Sequence, residues 1–191
     1  SSQPIQKPTP ALTYNDPLTG QSTNWEERTV LNPTAVVRDD KVYLLYRAQD
    51  LNGTSRIGMA ISEDGLNFEK LEAPVFYPDN DEMKINEWNY KKDDAEQVNS
   101  EECYFCYFVG VEDPRIVESE DGRYFMTYTS YDGKTARLSI ASSTDLMTWT
   151  KHGLVLKDEK YKDHWSKAGA IVGELKGNNI VAKKIDGKYW M

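Results

Sequence analysis

Histidine and cysteine are scarce, with two of each in the chain. The cysteines form one close pair, Cys103-Tyr-Phe-Cys106, without a second ligand pair, and His152 and His164 are not at zinc-finger spacing. A metal or redox centre has little to be built from. The pair reads instead as two small apolar residues beside Tyr104, Phe105 and Phe108. No apolar run approaches the roughly 18 residues of a membrane span. Positive charge is in deficit, 23 Lys and Arg against 31 Asp and Glu, for a net charge of −8. Nucleic-acid binding depends on clustered Lys and Arg, so no nucleic-acid partner is expected. A glycine-rich phosphate loop, a GxSxG elbow and an HExxH helix are all missing. Two histidines in uninformative contexts give no basis for a Ser-His-Asp triad. Carboxylate acid catalysis is the chemistry that remains, and it suits glycosidic bond cleavage.

What the chain does have is a strand-forming composition. It is 39% hydrophobic and 12% aromatic over 191 residues, enough for one domain with a real core. Its Tyr, Thr, Val, Ile and Trp favour β-structure over a helical bundle. An internal repeat organises it. Asn32-Pro-Thr-Ala-Val-Val37 corresponds to Asp113-Pro-Arg-Ile-Val117, and Lys41-Val-Tyr-Leu-Leu-Tyr-Arg47 to Arg123-Tyr-Phe-Met-Thr-Tyr-Thr129. Ile57–Ser62 corresponds to Leu138–Ser143, and Phe68 to Trp149, all at an offset of about 81–82 residues. Asp39-Asp40, Glu120-Asp-Gly122, Asp50–Gly53, Asp132-Gly133, Asp64-Gly65 and Thr144-Asp145 supply reversals between short strands. Four antiparallel strands per copy make a propeller blade.

A polar insertion of about 78–108 inflates the spacing, and without it the pitch is about 50, ordinary for such repeats. The insertion reads as a functional lid or as a solvated decoration. A third copy begins at Ala170-Ile-Val172 and runs through Lys184-Ile-Asp-Gly-Lys-Tyr-Trp-Met191, which echoes Glu120–Met126. About two and a half blades are therefore expected where propellers use 4–8, so the sequence reads as the N-terminal portion of a longer propeller. Ser1–Pro10 is polar and Pro-rich, and 1–24 is set aside as an arm, with 25–191 the propeller portion. The arm reads as a tether after a removed export signal, giving a periplasmic or cell-surface location, with the cytoplasm as the alternative.

First strands of blades converge on a central axis, so Asn32, Asp113 and the Lys167 region occupy quasi-equivalent positions there. Asp113 lies in Gly110-Val-Glu-Asp-Pro-Arg-Ile116 beside Glu112 and Arg115. Burial would raise its pKa and make it a proton donor, a nearby Arg would oppose that, and Asp-Pro also simply opens a turn. Arg47 and Arg56 flank apolar strands; they suit bidentate recognition of a ligand, or ion pairs with Asp50 or Asp64. Tyr43, Tyr46, Tyr124, Tyr128, Phe68 and Trp149 read as core, whereas Trp88 and Tyr90 in the insertion are freer to stack on a sugar ring.

Asn32-Pro, Tyr46-Arg-Ala48, Ser55-Arg-Ile-Gly58, Ser62-Glu-Asp-Gly65, Glu112-Asp-Pro-Arg115 and Lys184-Ile-Asp-Gly-Lys-Tyr189 together resemble glycoside hydrolase family 130. The resemblance runs from about Asn32 to Met191. It implies an all-β fold, a five-bladed β-propeller, acting on β-mannosides either as a phosphorylase producing mannose 1-phosphate or as a β-1,2-mannosidase. It makes Asp113 the general acid of an inverting reaction, Asn32 and Arg47 ligands of the mannose, and Arg56, Glu112 and Arg115 members of matching motifs. No cofactor is implied, inorganic phosphate being a co-substrate in the phosphorylases, and the partner is a β-mannoside oligosaccharide. Phosphorylases of the family commonly carry an Arg-Asn pair at the start of the third blade. This chain has Ser166-Lys167-Ala168-Gly169 there, which leaves Lys167 as a point charge and favours the hydrolase, with glutamates of later blades assisting water. A propeller that binds glycans without catalysis is the alternative of another class.

Overall fold

The computed structural model describes residues 4–89, 108–177 and 179–191. Cys103, Cys106, Tyr90 and the remainder of the insertion between 90 and 107 lie outside the described residues. Among the described residues the fold is all-β apart from one short helix. β1 (Thr13–Asn15) and β2 (Ser22–Asn24) form a hairpin. β3 (Thr29–Arg38), β4 (Lys41–Gln49), β5 (Thr54–Ser62) and β6 (Glu69–Lys70) make an antiparallel meander. After helix α1 (Lys84–Glu87), a second meander runs through β7 (Val109–Glu118), β8 (Tyr124–Tyr131), β9 (Ala136–Ser143) and β10 (Thr150–Leu154). β11 (Gly173–Lys176) pairs with β12 (Asn179–Ala182), and β13 (Lys184–Ile185) with β14 (Lys188–Tyr189). The third copy differs from expectation: Ala170-Ile-Val172 is not a strand, and the β11–β12 ladder starts at Gly173, although Val172 already donates its amide to the Trp190 carbonyl and accepts the Lys183 amide. Among the described residues no helix is long and apolar enough to cross a membrane.

The sequence repeat is a repeat of structure that includes the turn after its third strand, although the first turns differ in length. Asp39 and Asp40 both take positive φ, 49° and 58°, as a two-residue hairpin matching the twist of its strands requires. After β5, Asp64 Oδ1 accepts the amides of Leu66 and Asn67 while Ser62 Oγ donates to the same carboxylate. After β9, Asp145 and Ser143 repeat that arrangement with Met147 and Thr148. These carboxylates replace backbone partners that a sharp turn cannot supply.

The meanders meet over a two-residue parallel contact, Thr54 with Val109 and Ser55 with Gly110. A Cβ on Gly110 would lie 2.2 Å from the Ser55 carbonyl oxygen, so only glycine permits this approach. Behind the junction the facing sides share one core: Leu45, Ile57, Met59 and Phe76 from the first half, and Val111, Tyr124, Met126, Tyr128, Ala141 and Leu146 from the second. Strand alternation sends Tyr46, Ala48 and Ala60 to the other face, where they pack on Trp25.

Residues 13–24 are not a free arm. The β1–β2 hairpin lies against that second face, where Asp16 is buried and accepts from Arg56 Nη2 at 2.5 Å. Asp50 takes Arg56 Nη1 at 2.7 Å, and the Tyr14 hydroxyl accepts from Arg56 Nε at 2.6 Å. In the second meander Arg137 is bound by Asp132 and Asp163 in the same manner. The insertion also contributes to the core through α1. Glu87 is fully buried, accepts from Tyr128 Oη at 2.9 Å and from Lys151 Nζ at 2.5 Å, and burial pushes its pKa up to about 7. Trp88, expected to face a sugar, is buried.

Candidate active site

Two matching strand distortions build the site. β3 and β4 lose register between Leu31 and Thr34, and β7 and β8 between Glu112 and Arg115. Asn32 and Asp113 sit in these bulges with φ of 49° and 52°. Left-handed backbone costs an L-residue about 1–2 kcal/mol and is best tolerated by Asn and Asp, whose side chains bond locally. The prolines that follow, Pro33 and Pro114, disfavour right-handed helical backbone at the residue before them. The bulges turn the two side chains toward each other, and Asn32 Nδ2 donates to Asp113 Oδ1 at 2.6 Å across 81 residues of chain.

In a regular strand, Glu112 and Asp113 would point to opposite faces. At the bulge both meet Arg47. Its Nη2 donates to Glu112 Oε1 at 2.7 Å and its Nη1 to Asp113 Oδ1 at 3.4 Å. Arg47 itself is held from its own meander. Nε donates to Ser55 Oγ at 3.0 Å, Gln49 Nε2 donates to the same oxygen at 3.3 Å, and Ser55 Oγ donates to Glu112 Oε1 at 3.3 Å. The hydroxyl thus uses its donor and both acceptor positions, which leaves Arg47 little freedom. On the other side of Asp113, Lys167 Nζ lies 3.8 Å from Oδ2.

Glu112 and Asp113 are 5% and 8% exposed, while the Lys167 side chain is 46% exposed, so the carboxylates form the floor and the lysine a rim. Burial raises the pKa of Glu112; Arg47 opposes the rise, the neighbouring Asp113 adds to it, and Lys167 and the Ser55 hydroxyl oppose it. A carboxyl pair with one shared cation, an amide and a flanking ammonium binds hydroxyl groups and handles a proton at a defined oxygen. Among the described residues no group of three or more His, Cys, Asp and Glu side chains is placed to hold a metal ion.

Of the seven residues singled out in the sequence, the structure brings together Asn32, Arg47, Glu112, Asp113 and Lys167. Arg56 is a correction. It lies on the opposite face of β5 from Ser55, is 1% exposed, and is fully engaged by Asp16, Asp50 and Tyr14. Arg115 turns aside as well, with Nη1 on the carbonyl of Pro114 at 3.0 Å. The Lys167 region, expected as the third equivalent position, contains a matching backbone. Ala168, not Lys167, takes the left-handed backbone, with φ of 59°. Gln49 and Ser55 were missed as site residues. The signal was period-two alternation, which puts Gln49 on the face of Arg47 and Ser55 across from it in register.

A family model described as beta-1,4-mannooligosaccharide phosphorylase matches residues 4–191. The chain is 31% identical over 177 residues to a 1,2-beta-oligomannan phosphorylase of Thermoanaerobacter sp. (strain X514), covering 87% of this chain and 46% of that protein. A crystal structure of a glycosyl hydrolase from Bacteroides ovatus superposes with a TM-score of 0.83 at 36% identity, covering 97% of this chain and 49% of that one. A further structure with a TM-score of 0.83 and 38% identity, covering 97% of this chain and 49% of that one, comes from work describing glycoside hydrolases that target β-1,2 mannosidic linkages in Candida mannan within a family of mannoside phosphorylases. The chain therefore spans about half the length of the relatives it matches.

Proposed function

The chain belongs to glycoside hydrolase family 130, and from that premise we propose that its two meanders are blades of a five-bladed propeller that cleaves β-mannosides, with β-1,2 linkages as substrate. One observation carries the reading. Asp113 stands where the two bulged strands meet, with Oδ1 held by Asn32 and Arg47 and Oδ2 turned to the open side near Lys167.

In this mechanism Arg47 and Asn32 hold the mannose, and Asp113 transfers its proton to the departing glycosidic oxygen, directly or through a hydroxyl of that mannose. The bond between the anomeric carbon and that oxygen breaks as water attacks from the opposite face. The attacking water loses its proton to a base, and the product is mannose of inverted configuration. Glu112 fixes Arg47 rather than reacting. Water is favoured over phosphate as the nucleophile because Lys167-Ala168 offers one point charge and a methyl group where bidentate phosphate recognition needs a fork and an amide. The phosphorylase reading rests on the exposed ammonium of Lys167 and on the relative named as a phosphorylase.

Incubating the full-length protein with β-1,2-mannobiose, with and without inorganic phosphate, decides between them. Hydrolysis gives mannose alone at the same rate in both. Mannose 1-phosphate, formed only when phosphate is present, would overturn the hydrolytic reading.

A further inference from the structure

We propose that Trp165, backed by Tyr131, is the platform on which the departing sugar ring stacks. The proposal rests on the assignment of Asp113 as proton donor and extends it to the leaving-group side of the site.

The indole of Trp165 is 65% exposed, although a ring of this size ordinarily hides its surface. It is nevertheless fixed in place. Its ring centroid lies 6.1 Å from that of Tyr131, with the planes inclined at 58°. The next residue, Ser166, donates its amide to the Ala136 carbonyl at 2.9 Å and accepts the Leu138 amide on Oγ at 3.1 Å. Arg137 grips the preceding turn, donating to the Lys162 carbonyl at 2.8 Å and to Asp163 at 3.0 Å. An exposed indole on an anchored segment is already organised to receive a flat apolar face, and little ordering cost remains for binding.

Its position connects it to the reacting bond. Tyr131 pairs with Gly110 across β7 and β8, two positions along from the pair of Glu112 with Thr129, so it shares the face of Glu112. Two residues beyond Trp165, Lys167 approaches Oδ2 of Asp113, the oxygen not engaged by Asn32 and Arg47. The two oxygens of the acid therefore divide the site. Oδ1 belongs to the flank that holds the mannose, and Oδ2 faces the flank that carries the aromatic pair. In direct transfer the donor oxygen lies on the side of the group that departs, and the sugar stacked on Trp165 is then the leaving one. The apolar C–H face of a pyranose suits an indole, and neighbouring Lys167 offers its hydroxyls a donor.

The test uses the full-length protein carrying Trp165→Ala or Trp165→Phe. Calorimetry measures the affinity for mannose, which fills only the Arg47 flank, and kinetics measure kcat/KM for β-1,2-mannobiose. The expected result is a loss of roughly tenfold in kcat/KM for Trp165→Ala, substantial recovery in Trp165→Phe, and unchanged mannose affinity. Mannobiose turnover within twofold of wild type in Trp165→Ala overturns the platform while leaving Asp113 in place. Equal weakening of mannose and mannobiose overturns it in favour of a structural role for the indole. Absence of any cleavage by the wild-type protein removes the functional reading beneath it, and the platform with it.

Discussion

Asp113 and Glu87 show how differently this chain uses carboxylates. Asp113 depends on its backbone: at φ of 52° it leaves the plane of β7 and joins the side chains of Asn32 and Arg47. Glu87 depends on burial. Its carboxylate has Tyr128 and Lys151 as partners, and Asp81 lies near enough to lift its pKa further. With a folded-state pKa of about 7 against an ordinary value of 4.5, the native protein holds this proton after the unfolded chain has released it. Its contribution to stability is therefore complete below pH 4.5 and is lost as the pH rises through 7, on the order of 3 kcal/mol. Glu87→Gln removes the titrating group, so the difference in urea unfolding free energy between pH 5 and pH 7.5 should shrink relative to wild type. An unchanged difference would assign the pH dependence elsewhere. Among single residues, Asp113, Arg47 and Asn32 were legible because each is a polar residue placed at one point of a repeat. Glu87 was not, because a carboxylate in a polar stretch carries no sequence sign that it will be buried beneath Tyr128.

At the scale of elements, meanders and turns followed from the sequence because their signals are local. Asp-Gly and Asp-Asp reversals and period-two alternation need only a few neighbouring residues. What pairs with a meander from a distance was less visible. Asp16 and Arg56 are separated by 40 residues, and nothing in either segment marks them as partners. The structure explains the pairing by position: the β1–β2 hairpin supplies to Arg56 the outer carboxylate that Asp163 supplies to Arg137. The third copy starts later than expected: Ala170-Ile-Val172 has strand-like residues, whereas the β11–β12 ladder begins at Gly173, which admits close approach of Ile180 and Val181. The junction of the two meanders provides a sharp test. Gly110→Ala places a methyl against Ser55 at φ of 117°, forcing apart β5 and β7, the strands that carry Ser55 and Asp113. A loss of about 2–4 kcal/mol is expected, with Tm falling in thermal unfolding, while Gly20→Ala, with open space around it, should cost under half as much.

At the scale of the whole molecule, the two meanders share one core on one side and one polar cluster at their junction. The sequence repeat places equivalent residues at equivalent backbone positions, and the site arises because those positions converge. Asn32 and Asp113 are the same structural position with different side chains, one an amide and one an acid. Ala168 is a third such position, stripped to a methyl, and that difference separates the open Lys167 side of the cluster from the closed Arg47 side. Composition offered little from which to build a metal cluster or a triad and pointed to carboxylate chemistry, but the division of the two oxygens of Asp113 between the two sides needed the folded structure. The account stands or falls on Asp113 as the proton donor. The direct measurement is turnover of β-1,2-mannobiose by the full-length protein carrying Asp113→Asn, with circular dichroism confirming the fold. Replacing the acid by an amide of the same shape should lower kcat by about 10²–10⁴-fold with the fold intact; a folded variant that retains near-normal kcat would contradict the account.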